Sequence, residues 1–109
     1  MSDVIRIAEL NDLWRSKHEG NGRLNHTHGI EILPAEDKNE IHRLVREFDD
    51  FHEGNDPHGE HDWATFEYKD YTINWKIDYY DLALEQGSED PADPEQTIRV
   101  LTVMLASEQ

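Results

Sequence analysis

The side chains best able to move protons lie in one short stretch, Asp56-Pro57-His58-Gly59-Glu60-His61-Asp62, together with Lys76 and Asp78 further along. A carboxylate that orients an imidazole raises its basicity, which is the arrangement of a general-base dyad. The strand pairing described below makes His61 and Asp78 cross-strand neighbours, so His61, Asp78, Lys76 and Glu60 are the catalytic candidates. Such a dyad needs a nucleophile, and the chain has no Cys and no G-x-S-x-G turn to supply one. A structural His-Asp hydrogen bond at a strand end is the competing reading.

Metal ligation is the second chemistry to weigh. His26 and His28 at i, i+2 on a strand point the same way, and His52, His58 and His61 lie among carboxylates. Neither H-E-x-x-H nor an EF-hand loop is present, and seven His in an acidic chain produce such neighbours by chance. No metal and no cofactor are therefore expected. Trp63 beside Lys76 suggests a cation-π contact, and with Tyr80 among acids it equally suggests an interface anchor or a side chain covered by a loop or helix.

Charge says more about partners than these clusters do. Asp and Glu number 25 against 10 Lys and Arg, a formal net charge of -15. Residues 1–33 are nearly balanced, and the excess lies in two stretches without a single Lys or Arg. The first holds Glu47, Asp49, Asp50, Glu53, Asp56, Glu60 and Asp62; the second holds Asp78, Asp81, Glu85, Glu89, Asp90, Asp93 and Glu95. A surface of this kind repels DNA, RNA and anionic membrane and attracts basic proteins. The same acidity also serves simply to keep a protein soluble. A phosphate-cradling Gly-rich loop and a basic stripe are both missing, so direct nucleotide or nucleic-acid binding is not expected.

The elements that must position these residues follow from patterning. The length suits a single domain, residues 1–109, and three Trp, four Tyr and three Phe supply its core area. Ser2 is placed to cap a helix with Val4, Ile7, Leu10 and Trp14 on its inner face, ended by Gly20-Asn21-Gly22. Residues 23–33 read as extended, with a bend or bulge at Gly29. Pro34 opens a second helix in which Ile41, Leu44, Val45 and Phe48 keep helical spacing. Glu60–Tyr68 and Tyr71–Tyr80 alternate as a hairpin around Lys69-Asp70, pairing Tyr68 with Tyr71, Phe66 with Ile73 and Trp63 with Lys76. Asp93, Pro94 and Gln96 look like the start of a last, largely buried helix carrying Ile98 to Ala106. The expected fold is α+β: a small antiparallel sheet with a central hairpin, packed against about three helices in two layers.

The strings Asn55-Asp56-Pro57, Gly59-Glu60-His61-Asp62, Trp75-Lys76-Ile77-Asp78-Tyr79-Tyr80-Asp81, Asp90-Pro91-Ala92-Asp93-Pro94 and Arg99 to Ala106 resemble an uncharacterised bacterial family of unknown function. That family is often carried on plasmids and other mobile elements, and the resemblance runs from about Ala8 to the carboxyl terminus. Its members usually have an aromatic at the position of His58 and lack His26 and His28, which weakens a metal site built on those three. The family brings no activity, but its setting on mobile DNA implies an acidic inhibitor of a host defence system, of anti-CRISPR or anti-restriction type, acting as a DNA mimic. The partner expected is a basic nucleic-acid-binding protein such as a Cas or restriction subunit. A small His-Asp or metal-dependent enzyme and an acidic accessory protein in plasmid maintenance are the alternatives. With no signal-peptide pattern at Met1-Ser2-Asp3-Val4 and no apolar run longer than Val100 to Ala106, the expected location is the cytoplasm.

Overall fold

A computed structural model describes residues 2–109, and the side chain of Ser2, the expected cap of the first helix, lies outside the described part. Helix α1 (Ser2–Lys17) buries Ile7, Leu10 and Trp14, as its spacing predicts, together with Ala8, while Val4 at its start is exposed and not on the inner face as expected. Asn11 and Arg15 are buried on the same stripe, so the helix carries a polar seam inside its apolar face. It stops earlier than expected. His18 adopts a left-handed φ of 56°, its N–H donates to the Trp14 carbonyl, and the Glu19 N–H donates to Leu13 O. With His18 left-handed, its bond to the Trp14 carbonyl closes the helix at its carboxyl end.

The extended segment is shorter than expected. Strand β1 (Gly22–His26) gives way at Thr27 to a single helical turn, α2 (His28–Glu31), so Gly29 sits in a helix and not at a bulge. The reason for glycine there is a close approach. A Cβ at Gly29 would stand 2.7 Å from both Glu108 Oε1 and Leu105 Cδ1. Glu108 uses that space to accept hydrogen bonds from the Gly29 N–H at 2.8 Å, the Leu105 N–H at 3.0 Å and the Thr27 hydroxyl. Helix α3 (Ala35–Glu47) follows Pro34 and buries Ile41 and Val45, with Glu36 and Asp37 in its positively polarised first turn.

Strands β2 (Trp63–Tyr68) and β3 (Tyr71–Tyr80) form the expected hairpin in the expected register, Trp63 opposite Lys76, Phe66 opposite Ile73 and Tyr68 opposite Tyr71. Lys69 makes the two-residue turn by adopting a φ of 52°. The last expected helix is instead strand β4 (Ile98–Leu105). An apolar run with no polar face fits a buried helix or a buried strand equally well, and the β-branched Ile98, Val100, Thr102 and Val103 favour the strand. The apparent helix start is a turn: Asp93 accepts the Glu95 N–H at 2.9 Å and the Gln96 side chain at 2.7 Å.

The strand order is β1-β4-β3-β2, with β4 parallel to β1 and antiparallel to β3, so the sheet is mixed where an antiparallel one was expected. Helices cover one face. Trp14, Ile30, Ile41 and Val45 pack there on Ala64, Ile73, Trp75, Ile77, Leu101 and Val103. The outer face, with Lys76, Asp78, Tyr80, Val100 and Thr102, is left as a shallow concavity of about 390 Å³. Among the described residues no helix is long and apolar enough to cross a membrane.

Candidate functional site

β2 begins, β3 ends and β4 begins at one end of the sheet, because Trp63 faces Lys76 and Tyr80 faces Ile98. The two connections made there are loops 48–62 and 81–97. Segments remote in sequence thus become neighbours, and between them they carry twelve Asp and Glu and no Lys or Arg. The remainder of the chain has thirteen acids against ten bases, so most of the net charge is carried by these two loops.

A buried polar chain ties the two loops together. Asn11 of α1, with no exposed surface, donates to the Glu60 carbonyl at 2.9 Å and to the Tyr79 hydroxyl at 2.8 Å. Tyr79 in turn donates to the Glu60 carboxylate at 2.7 Å. From β4, the Arg99 Nε donates to Asn11 Oδ1 at 2.6 Å and its Nη2 to the Pro91 carbonyl at 2.5 Å. Loop 48–62 is therefore joined to loop 81–97 through Glu60, Asn11, Arg99 and Pro91. Burial, then the contact with Glu60, keeps the Tyr79 phenol protonated, its pKa raised although the Asn11 bond pulls the other way. Burial also lowers the pKa of Arg99 from its usual value.

The acids of this end have different tasks. Asp49, Asp50, Glu53, Glu85, Glu89 and Glu95 are exposed. Asp81, Asp90 and Asp93 are partly covered and each accepts a backbone N–H within its own turn, from Glu85, Ala92 and Glu95. Asp56 is buried, with both oxygens 3.3 Å from the His61 N–H. Asp62 is half-covered, and burial together with Glu60 and Asp56 raises its carboxyl pKa above the usual range. Two expected members stand apart. Glu47 is bound to Arg43 at 2.8 Å on α3, and Asp78 pairs with Lys76 at 3.1 Å on the open sheet face. Trp63 and Tyr80 also lie on that open face, half-buried, near the acidic end.

His61 is not beside Asp78. The strand begins only at Trp63; the Ile77 N–H bonds the Asp62 carbonyl, and Asp78 is opposite Val100. His61 turns away with a left-handed φ of 56°, and its Nδ1 meets Asp12 of α1 at 3.0 Å. Its Nε2 lies 3.6 Å from Asp56, and its ring stacks on Phe51 at 4.0 Å between centroids and 4° between planes. Asp12 is shared with Arg15 at 2.9 Å. The guanidinium of Arg15 is buried over Phe51 and Trp75 and donates to the carbonyls of Val45 and Phe48, the end of α3. The imidazole therefore closes a clamp between α1 and the start of the acidic loop. Lys76, engaged by Asp78, makes no cation-π contact with Trp63 among the described residues, and Glu60 belongs to the Asn11 chain.

Nor do the histidines gather as ligands. His26 ends β1 and bonds Glu31, while His28 is in α2. Among the described residues no three His, Asp or Glu side chains converge to hold a metal ion. Asn11, Asp12, Arg15, Phe51, Tyr79 and Arg99 were not singled out by sequence reasoning. Their one legible signal was Asn11 and Arg15 falling on the apolar stripe of α1 at i, i+4.

No curated protein and no solved structure matches the chain significantly. A family model described as protein of unknown function (DUF3768) matches residues 26–108, a span that includes α2, α3, the hairpin, β4 and both acidic loops, and the chain belongs to that family.

Proposed function

We propose that the protein is an acidic, protein-binding inhibitor that uses its charged end as a DNA mimic against a host nucleic-acid-binding defence system of anti-restriction or anti-CRISPR kind. The convergence of two base-free loops at one end of the sheet supports this reading. Carboxylates spread evenly over the surface would act only as a solubilising coat, whereas a one-ended excess creates a directional field that a cationic groove can read. Asp49, Asp50, Glu53, Glu85, Glu89 and Glu95 stand where phosphates would, and the Asn11 chain holds their loops in fixed relation. In this reading the protein travels on a mobile element and works in the host cytoplasm, without a cofactor.

Mimicry makes a quantitative demand. A partner that sheds counterions against about six carboxylates loses roughly 10³ in affinity between about 50 and 200 mM salt, as for six phosphate contacts. The test is competition with duplex DNA for purified restriction-recognition and Cas effector subunits across a salt series. Displacement of DNA with that steep slope, lost when the six acids become Asn or Gln, is the expected result. Binding that barely changes with salt, or that leaves the DNA in place, overturns the reading.

A further inference from the structure

Loop 81–97 carries a feature that charge alone does not account for. Leu82, Ala83 and Leu84 are consecutive and exposed, the two leucines 58% and 43% accessible, in a stretch of acids without a single Lys or Arg. Lone surface leucines are ordinary. Here two occupy the tip of a built arm. Tyr80 bridges to Gly87, the Asp81 N–H donates to the Gln86 carbonyl at 2.9 Å, and the Ser88 N–H donates to Tyr79 O at 3.1 Å, so β3 runs on into a small hairpin. Asp81 organises the tip, its carbonyl accepting the Leu84 N–H at 3.0 Å and its carboxylate the Glu85 N–H at 3.0 Å. The base of the arm is fixed by Ser88 to Thr97 at 2.8 Å and by Arg99 to the Pro91 carbonyl.

Leu84 has a φ of 59°, a left-handed conformation that strains a residue with a Cβ and that glycine adopts readily. The tip thus holds an apolar side chain outward at a position where glycine would relieve the backbone. From this placement we infer that Leu82 and Leu84 form the apolar anchor of the partner interface and enter a shallow apolar pocket rimmed by Lys and Arg on that partner. The flanking Asp81, Glu85 and Glu89 supply the complement to the basic rim, and a rigid tip loses little freedom on binding. This rests on the partner being a basic protein, and adds what mimicry lacks: a contact that DNA itself cannot make, and hence selectivity among basic proteins.

The test compares the protein with Leu82→Ser/Leu84→Ser and with Leu84→Gly, the latter relieving the backbone and so keeping the fold intact. Each is titrated with poly-L-lysine, a probe of charge alone, and each is used for quantitative low-salt capture from host lysate. All three bind poly-L-lysine within about twofold of one another, while recovery of a basic protein falls about tenfold or more with both variants. Equal recovery on all three baits overturns the anchor and leaves the acidic-end reading standing. Failure of the unaltered protein to retain either a basic protein or poly-L-lysine overturns both.

Discussion

Asn11→Ala removes the residue on which the acidic end is organised. Three groups lose a partner: the Glu60 carbonyl, the Tyr79 hydroxyl and the Arg99 Nε. Two are neutral and partly covered, and Tyr79 keeps its bond to the Glu60 carboxylate, so each costs about 1 kcal/mol. The third is a charged donor in a buried position, and although its guanidinium keeps the Pro91 carbonyl, its loss costs about 2 kcal/mol. Together this is about 4 kcal/mol out of the roughly 5–15 kcal/mol that holds a domain of this size, and it lowers Tm by about 15 °C or more. Urea unfolding gives the free energy, and amide hydrogen exchange locates the loss: protection falls first in loops 48–62 and 81–97, which Asn11 joins. A change below about 1 kcal/mol, or loosening confined to α1, would refute the account of Asn11 as the tie between the loops.

His61→Ala removes the clamp between α1 and Asp56 without touching the exposed carboxylates, so DNA displacement persists while stability falls; complete loss of inhibition with the fold intact in circular dichroism points instead to chemistry at the imidazole. The His42 imidazole is held below its usual pKa by burial and then by His26, Arg46, His18 and Lys38, which makes the folded state the poorer proton binder. Stability contributed there is present above pH 6.5 and is lost as pH falls below it, so His42→Gln flattens the urea-midpoint profile between about pH 5 and 7; an unchanged slope refutes this. Gly29→Ala displaces the Glu108 carboxylate from its three donors and lowers Tm, and in a Glu108→Ala background the same change costs less, because only the close contact with the Leu105 side chain remains; additivity of the two changes would show that the approach of Glu108 does not matter.

Local patterns made much of the fold legible. The hairpin register followed from a two-residue turn at Lys69-Asp70 between alternating segments, and α3 from apolar residues at helical spacing. β4 was not legible. β4 is apolar on both faces, and periodicity then carries no information about helix or strand; only hydrogen bonding to β1 and β3 decides. The hairpin likewise placed Trp63 correctly but, extended three residues too far, assigned His61 a partner in Asp78. The backbone of His61 is instead left-handed, and its carboxylate comes from Asp12 of α1, far away in the chain.

By itself the amino-acid sequence determined the acidity, its division into two base-free segments, helices α1 and α3 and the hairpin, since these depend on composition and on contacts between near neighbours in the chain. The hairpin brings the two acidic segments to one end of the sheet, and tertiary structure alone decided how they are tied together there. That follows from β4 pairing antiparallel with β3, which sets Ile98 beside Tyr80 and lets Asn11 and Arg99 bond both loops. Such pairings join residues distant along the chain through backbone groups that every residue possesses, and so leave no local mark in the side-chain pattern.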